Sequence, residues 1–248
     1  MLSFLTFAGL VALVGALPTG DVEACEAPKP CASYTLINTR GTAEPQGESL
    51  GFTAINANVT AERPGGKIYN VVYPADLDQV STAATEDASC YPLPRQRGQS
   101  ANQFLQNLQI INQIHSTLAT NADECFILEG YSQGATATID AMFNITDAAF
   151  AAVKGVFLIG DPVHKAGLAC NVDISGGDST FDVNGVYVAA GLKTGIPDAW
   201  VPKTLDVCNY GDGICDIKHG DGITEQHLAY IMDEGAHKLG IDFILKQL

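Results

Sequence analysis

The sequence predicts an α/β fold, a three-layer sandwich around a small, mainly parallel central sheet. Three observations carry that reading. Short apolar runs of strand character alternate with segments whose apolar residues recur at helical spacing, the pattern of crossover-connected strands. One junction is abrupt: the apolar run at 125–128 passes through Gly130-Tyr131-Ser132-Gln133-Gly134 straight into a helix-forming stretch at 135–142. And 248 residues with 46% hydrophobic content can bury a large core in a single domain.

Taken in order, residues 2–16 are apolar and uncharged, and Val14-Gly15-Ala16 puts small residues where a signal peptidase cuts. Residues 1–16 are therefore expected to be a leader, 17–30 a Pro-rich lead-in, and 31–248 one domain. The leader is too short to span a bilayer and no other stretch is long enough, so no integral membrane segment is expected. Seven cysteines without paired metal spacing point to disulfides in an oxidising compartment, and an odd count leaves one thiol over. Asn58-Val59-Thr60 and Asn144-Ile145-Thr146 match the glycosylation acceptor pattern. A secreted, extracellular glycoprotein is the expectation. The formal net charge of −15 argues against a nucleic-acid partner, which would need Lys and Arg clusters.

Residues 34–38 read as a first strand, followed by a polar, Gly-rich loop at 40–51. Phe52, Ile55 and Val59 mark a helix, and the β-branched and aromatic run at 68–73, closed by Pro74, a second strand. Residues 75–98 are polar and turn-rich and include Cys90 and Pro92-Leu93-Pro94. Ala101, Phe104, Leu105, Leu108, Ile111 and Leu118 then line one face of a long helix. A buried strand is expected at 155–160, an irregular excursion at 164–184, further strands at 186–189 and 205–207, and a terminal helix at 236–248. Neither 75–98 nor 164–184 has a long amphipathic stripe, so no large lid is expected.

The five residues at 130–134 fit the Gly-x-Ser-x-Gly nucleophile-elbow pattern. A strand that turns at once into a helix pinches its backbone, and glycines on both sides remove the side chains that would collide. Ser132 is left on a strained point with its hydroxyl exposed, in front of the free N–H groups of a helix start. A serine hydroxyl also needs a base, and the base needs a carboxylate to hold its tautomer. In elbow-type enzymes these follow in the order acid, then histidine. His115 lies on the long helix and reads as a core or helix-end residue, His237 falls in the terminal helix, and His164 precedes the later acids. His219 and His227 remain. Asp212 is the best-placed acid, because a bridge between Cys208 and Cys215 would hold it in a rigid loop after a strand. The neighbouring Asp206, Asp216 and Asp221 leave a plain acidic surface loop as the other reading.

Gly-Tyr-Ser-Gln-Gly at 130–134, Cys-Asn-Tyr-Gly-Asp-Gly-Ile-Cys at 208–215, His227-Leu228-Ala229-Tyr230 and Asn38-Thr39-Arg40-Gly41-Thr42 together resemble the cutinase family, which includes acetylxylan esterases. Four separated motifs occur in the family's order, over essentially all of 31–248, and the resemblance is greatest to fungal cutinase-like polyesterases. It implies an α/β-hydrolase fold and a serine carboxylic ester hydrolase that needs no metal or organic cofactor. Ser132 would be the nucleophile, Asp212 the orienting acid and His227 the base. The oxyanion hole would be the backbone N–H groups of Thr42 and Gln133, with the Thr42 hydroxyl holding the first in place. Leu228 matches a position lining the acyl crevice. The resemblance carries over a Cys208–Cys215 bridge and matches Cys31 to the family's first-strand cysteine. Cys125, its candidate partner, begins a strand where the family cysteine ends the preceding helix. Cys25 and Cys90 look like additions and Cys170 like the free thiol.

The expected substrates are cutin or similar aliphatic polyesters and short-to-medium acyl esters, processed by a monomer. Leu93, Ile196, Trp200 and Leu228 are the expected apolar rim. The alternatives are deacetylation of polysaccharide and, in a different class, a non-catalytic secreted binding protein. A serine-directed phosphonate probe separates these two classes.

Overall fold

The computed structural model describes residues 30–76 and 101–248, with side chains in the second stretch from Leu108 onward. The expected leader, all but the last residue of the lead-in, Cys25, Cys90, Leu93 and Pro94 lie outside the described residues.

Among the described residues, six strands form one sheet: β1 (Tyr34–Thr39), β2 (Gly66–Asn70), β3 (Cys125–Tyr131), β4 (Val153–Ile159), β5 (Asn171–Val172) and β6 (Thr204–Val207). Their order is β2-β1-β3-β4-β6-β5, and every pairing is parallel. Parallel strands need crossovers, and the crossovers cover both faces with helices. The central strands β1 and β3 are accordingly buried at every position. This is the α/β-hydrolase sandwich.

Alternation along each strand sorts side chains between two cores. Ile37, Phe126, Leu128 and Leu158 point to one face, against Ile110 and Ile114 of α2 (Ala101–Leu118) and Ile139 of α3 (Gln133–Met142). Leu36, Ile127, Phe157 and Ile159 point to the other, against Phe52, Ile55 and Val59 of α1 (Leu50–Glu62). The terminal helix joins that second face. Val153 and Val156 of β4 share the first face despite their odd spacing, because the pairing with β3 shifts register between Phe126 and Ile127.

Three readings of the sequence need correction. The second strand lies at Gly66–Asn70, earlier than 68–73. Val71 N still donates to Asn38 O, but the buried Arg40 guanidinium takes the Val71 and Tyr73 carbonyls and ends the ladder. Val186–Ala189 is a helical turn, α5, and not a strand. Its β-branched composition suits a sheet, but no edge is offered there: Tyr187 N donates to Pro162 O and Ala189 N to Gly185 O. The excursion at 164–184 contains β5, two residues that add an edge to β6.

Two short helices escape the periodicity, α4 (Asp147–Ala152) and α6 (Glu225–Ala229), each too brief to show a stripe. The chain closes with α7 (Glu234–Gln247), capped by the Asp233 side chain accepting from Ala236 N at 2.8 Å. Among the described residues there are two disulfides, Cys31–Cys125 and Cys208–Cys215, and Cys170 is a buried free thiol. No described helix is long and apolar enough to cross a membrane.

Candidate active site

The carboxyl ends of β1, β3, β4 and β6 bring the site together. At the end of β3 the backbone turns through Ser132 at φ 53° and ψ −116°, a conformation costly for a residue with a Cβ. The flanking glycines permit it. A Cβ on Gly134 would sit 2.0 Å from Thr39 O, and one on Gly130 2.6 Å from Ala135 Cα. Ser132 N donates to Ile159 O at 3.1 Å, which ties the turn to β4.

Ser132 Oγ lies 3.0 Å from His227 Nε2, and His227 Nδ1 lies 2.9 Å from both carboxylate oxygens of Asp212. Each of these links two segments far apart in the chain. His227 sits on the single turn α6, not on a loop, and the Thr224 hydroxyl that caps this turn accepts from His227 N at 3.2 Å. The left-handed Gly160 lets the ring approach: a Cβ there would be 2.9 Å from His227 Cε1. His227 and Asp212 are buried, while Ser132 is half-buried and reachable.

Asp212 is held by more than the histidine. Ile214 N donates to its Oδ1 at 2.9 Å and the Tyr230 hydroxyl to its Oδ2 at 2.8 Å. Burial, with the Asp212 charge beside it, keeps the Tyr230 phenol well above its ordinary pKa, so it remains a donor. Tyr131 is likewise raised by burial, and its hydroxyl donates to His227 O at 2.8 Å. The disulfide Cys208–Cys215 brackets the Asp212 loop. Asp216, one residue beyond the bridge, accepts from Gly211 N at 3.0 Å and from His219, which stacks on Tyr210. His219 therefore belongs to the scaffold of this loop and does not face Ser132.

Gln133 takes the first position of α3, where helix geometry supplies no internal acceptor for its N–H. Thr42 stands across from it, and its hydroxyl donates to Gln133 Oε1 at 2.9 Å, so it bridges to the other candidate donor residue and not to its own backbone. The Thr42 loop is braced on both sides. Glu44 Oε2 accepts from Gly41 N at 2.5 Å and from the Ser49 hydroxyl at 2.8 Å, and Arg40 Nε donates to Glu44 O at 2.9 Å.

A cleft of about 170 Å³ opens beside Ser132, between Thr42, Pro162, Val186, Tyr187, Ile214, Ile223 and Leu228. Leu228 and Ile223 are exposed at its mouth. Ile196 and Trp200, expected at the rim, are instead buried in the core against the first face of the sheet, with Trp200 edge-on to Phe150. Pro162, Val186, Tyr187, Ile214 and Ile223 are wall residues that sequence reasoning missed. They come from the turn after β4, from α5 and from the loop between β6 and α6, and no local pattern links them. Among the other histidines, His115 is exposed in the last turn of α2, His237 lies on α7 with Nε2 3.1 Å from Tyr230 O, and His164 is fully buried away from Ser132. Among the described residues, no group of three His, Cys, Asp or Glu side chains is placed to hold a metal ion.

The Cutinase family profile matches residues 30–248. The chain belongs to the cutinase family. A solved cutinase-like protein from Cryptococcus sp. is 48% identical, with a TM-score of 0.76 over 88% of this chain and 95% of that one. A cutinase of Hypocrea jecorina is 27% identical over 82% of this chain, and the match spans 64% of that protein's length. The catalytic core domain of acetyl xylan esterase from Trichoderma reesei shares the cutinase fold at 23% identity and a TM-score of 0.65, covering 88% of this chain and all of that domain.

Proposed function

We propose that this chain is a secreted serine esterase that hydrolyses carboxylic esters through an acyl-enzyme formed on Ser132. The observation that carries the reading is the unbroken line Ser132 Oγ, His227, Asp212, at 3.0 and 2.9 Å, on a strained strand-to-helix turn. Ser132 Oγ attacks the ester carbonyl carbon while His227 Nε2 takes the hydroxyl proton. Asp212 fixes the Nδ1–H tautomer and offsets the charge that develops on the ring. The oxyanion is received by the N–H groups of Thr42 and Gln133, each such donor contributing about 3 kcal/mol to the transition state. His227 then protonates the departing alcohol, and a water molecule repeats the sequence on the acyl-enzyme.

The substrates are short-to-medium acyl esters and the surface of an aliphatic polyester such as cutin. An apolar cleft with Leu228 and Ile223 at its mouth can bury several methylenes, at about 0.8 kcal/mol each, whereas an acetyl group on a sugar chain would leave it unfilled. Residues 31–248 act as the catalytic domain of a monomer, exported behind a leader of about 16 residues. Two disulfides suit an oxidising compartment, and Asn58 is exposed for glycosylation. The test is a phosphonate probe followed by peptide mapping, beside a chain-length series of p-nitrophenyl esters, acetylated xylan and an insoluble polyester. Labelling at Ser132 with preference for butyrate or longer is expected. No labelling returns the chain to the binding-protein reading, and acceptance of acetate alone transfers it to polysaccharide deacetylation.

A further inference from the structure

One wall of the ester cleft is suspended between two buried ion pairs that take no part in the chemistry. The wall is the segment 185–193, which contributes Val186 and Tyr187 beside Ser132. No residue of its single helical turn, α5, is fully buried; Tyr187 and Val188 pack only partly against the core, so the ties at its two ends add to packing in fixing its position. Its backbone is tied to other segments at three points. Gly185 N donates to His164 O, Val186 N to Ile214 O and Tyr187 N to Pro162 O, each at 2.9 Å, while Leu192 N closes the segment on its own Tyr187 O.

Both ends of that suspension rest on charge. At one end His164, with its side chain fully buried, has Nδ1 2.7 Å from Asp206 Oδ2 and Nε2 3.1 Å from Thr180 O. A carbonyl oxygen can only accept, so Nε2 carries a proton, and Nδ1 faces a carboxylate, where a charged N–H donor binds best. The ring is therefore an imidazolium. Thr180 continues the linkage, its hydroxyl donating to Cys208 O at 2.9 Å, at the entrance of the Asp212 loop. At the other end Lys193 Nζ donates to Asp140 Oδ1 at 2.6 Å, both side chains almost wholly buried. Asp140 lies on α3, the helix that starts directly behind Ser132.

We propose that His164 and Lys193 are positioning residues for the acyl group: their ion pairs with Asp206 and Asp140 hold the 185–193 wall at the spacing that selects longer acyl chains. This rests on the serine esterase reading and deepens it. Neither pair touches Ser132 or His227, so the bond-making step should survive their loss while the fit of the acyl chain does not.

The charges facing His164 from each packed element fit this role. Asp206 comes from β6 and Asp161 from the turn after β4, while the Thr180 carbonyl faces the other ring nitrogen. Burial, and after it the Asp206 charge, push Asp161 well above the carboxylate range, with Asp140 also acting on it. Burial works against the charged imidazole, yet Asp206 chiefly, with Asp161, raises it to about 9. Above that pH one of its two hydrogen bonds must be given up.

The experiment compares wild type with His164→Gln and Lys193→Met, measuring kcat and KM on p-nitrophenyl acetate and p-nitrophenyl hexanoate. The expected result is a KM for hexanoate raised about five- to tenfold, with kcat on both esters and KM for acetate within about twofold of wild type. A fall in kcat shared by both esters with no KM split, or an unchanged hexanoate KM, would overturn the proposal. Should a variant fail to fold, the wild-type chain carries the same test. Its ratio of hexanoate to acetate KM should rise as pH passes through about 9, and a flat ratio between pH 7 and 10 overturns the proposal. A wild type that cleaves neither ester and resists the phosphonate probe fails earlier and differently, at the esterase reading itself.

Discussion

Ser132 and His227 act as a unit in the proposed mechanism, so Ser132→Ala and His227→Ala should each lower kcat on p-nitrophenyl butyrate by about a thousandfold or more, with the fold intact by circular dichroism. His219→Ala should cost far less, since His219 only braces Asp216 at 2.9 Å. Full activity in His227→Ala would remove the base from the mechanism. A second residue-scale prediction concerns Glu129, fully buried on β3. Its Oε2 accepts from Asn38 Nδ2 at 3.1 Å and Asn56 Nδ2 at 3.0 Å, while Oε1 has no partner among the described residues. Burial pushes its pKa up to about 8. A carboxyl whose folded pKa exceeds its unfolded value of 4.5 contributes stability below that value and loses it as pH rises toward about 8. Glu129→Gln keeps the shape without the charge. Its melting temperature should match wild type near pH 4 and exceed it by several degrees at pH 8. A gap that does not widen with pH would show that the carboxyl is accommodated as an anion.

At the scale of elements, the two disulfides should separate stability from activity. Cys31–Cys125 joins residues 94 apart, and Cys208–Cys215 joins residues 7 apart. By loop-closure entropy the long bridge is worth about 4–5 kcal/mol and the short one about 2–3. The short one, however, brackets the loop that aims Asp212 at His227. Cys208→Ser with Cys215→Ser should therefore melt only a few degrees lower yet lose most of its kcat, while the Cys31 and Cys125 pair of substitutions should do the reverse. Equal ratios of lost stability to lost activity in the two double variants would deny the short bridge its positional role. The sheet-to-helix packing offers an internal control: Phe157, fully buried against Phe52 and Phe243 and outside the cleft lining, should cost about 3–5 kcal/mol as alanine.

For the whole molecule, the question is access. Ser132 is half-buried at the floor of a cleft with an exposed apolar mouth, and no described segment lies across it. Hydrolysis of p-nitrophenyl butyrate should rise smoothly through the solubility limit of the substrate, without a jump at the appearance of an interface. Slow release of monomers from an aliphatic polyester film should accompany it. A sharp rise in rate at the solubility limit would mean that a covering segment has to move first.

Much of the fold and of the candidate site is legible in the sequence because local physics is unusually strict there. The apolar run from Cys125 to Leu128 suits a strand buried on both faces, and Gly130 and Gly134 must lack a Cβ for Ser132 to reach φ 53°. Chain order then narrows the histidines to His219 and His227. Other assignments depend on neighbours far away in sequence. Val186–Ala189 has the composition of a strand and becomes a helical turn because its amides meet Pro162 and Gly185 rather than a sheet edge. Trp200 and Ile196 look like rim residues and are core. His164 is passed over by chain order and is buried between Asp206 and Thr180. The sequence by itself determined the strand-turn-helix that presents Ser132, because its geometry is set by residues within one turn. Only the tertiary structure decided which carboxylate meets which histidine and which loops wall the cleft, because those contacts close over intervals from 15 residues, for Asp212 and His227, to 95, for Ser132 and His227, and leave no local pattern.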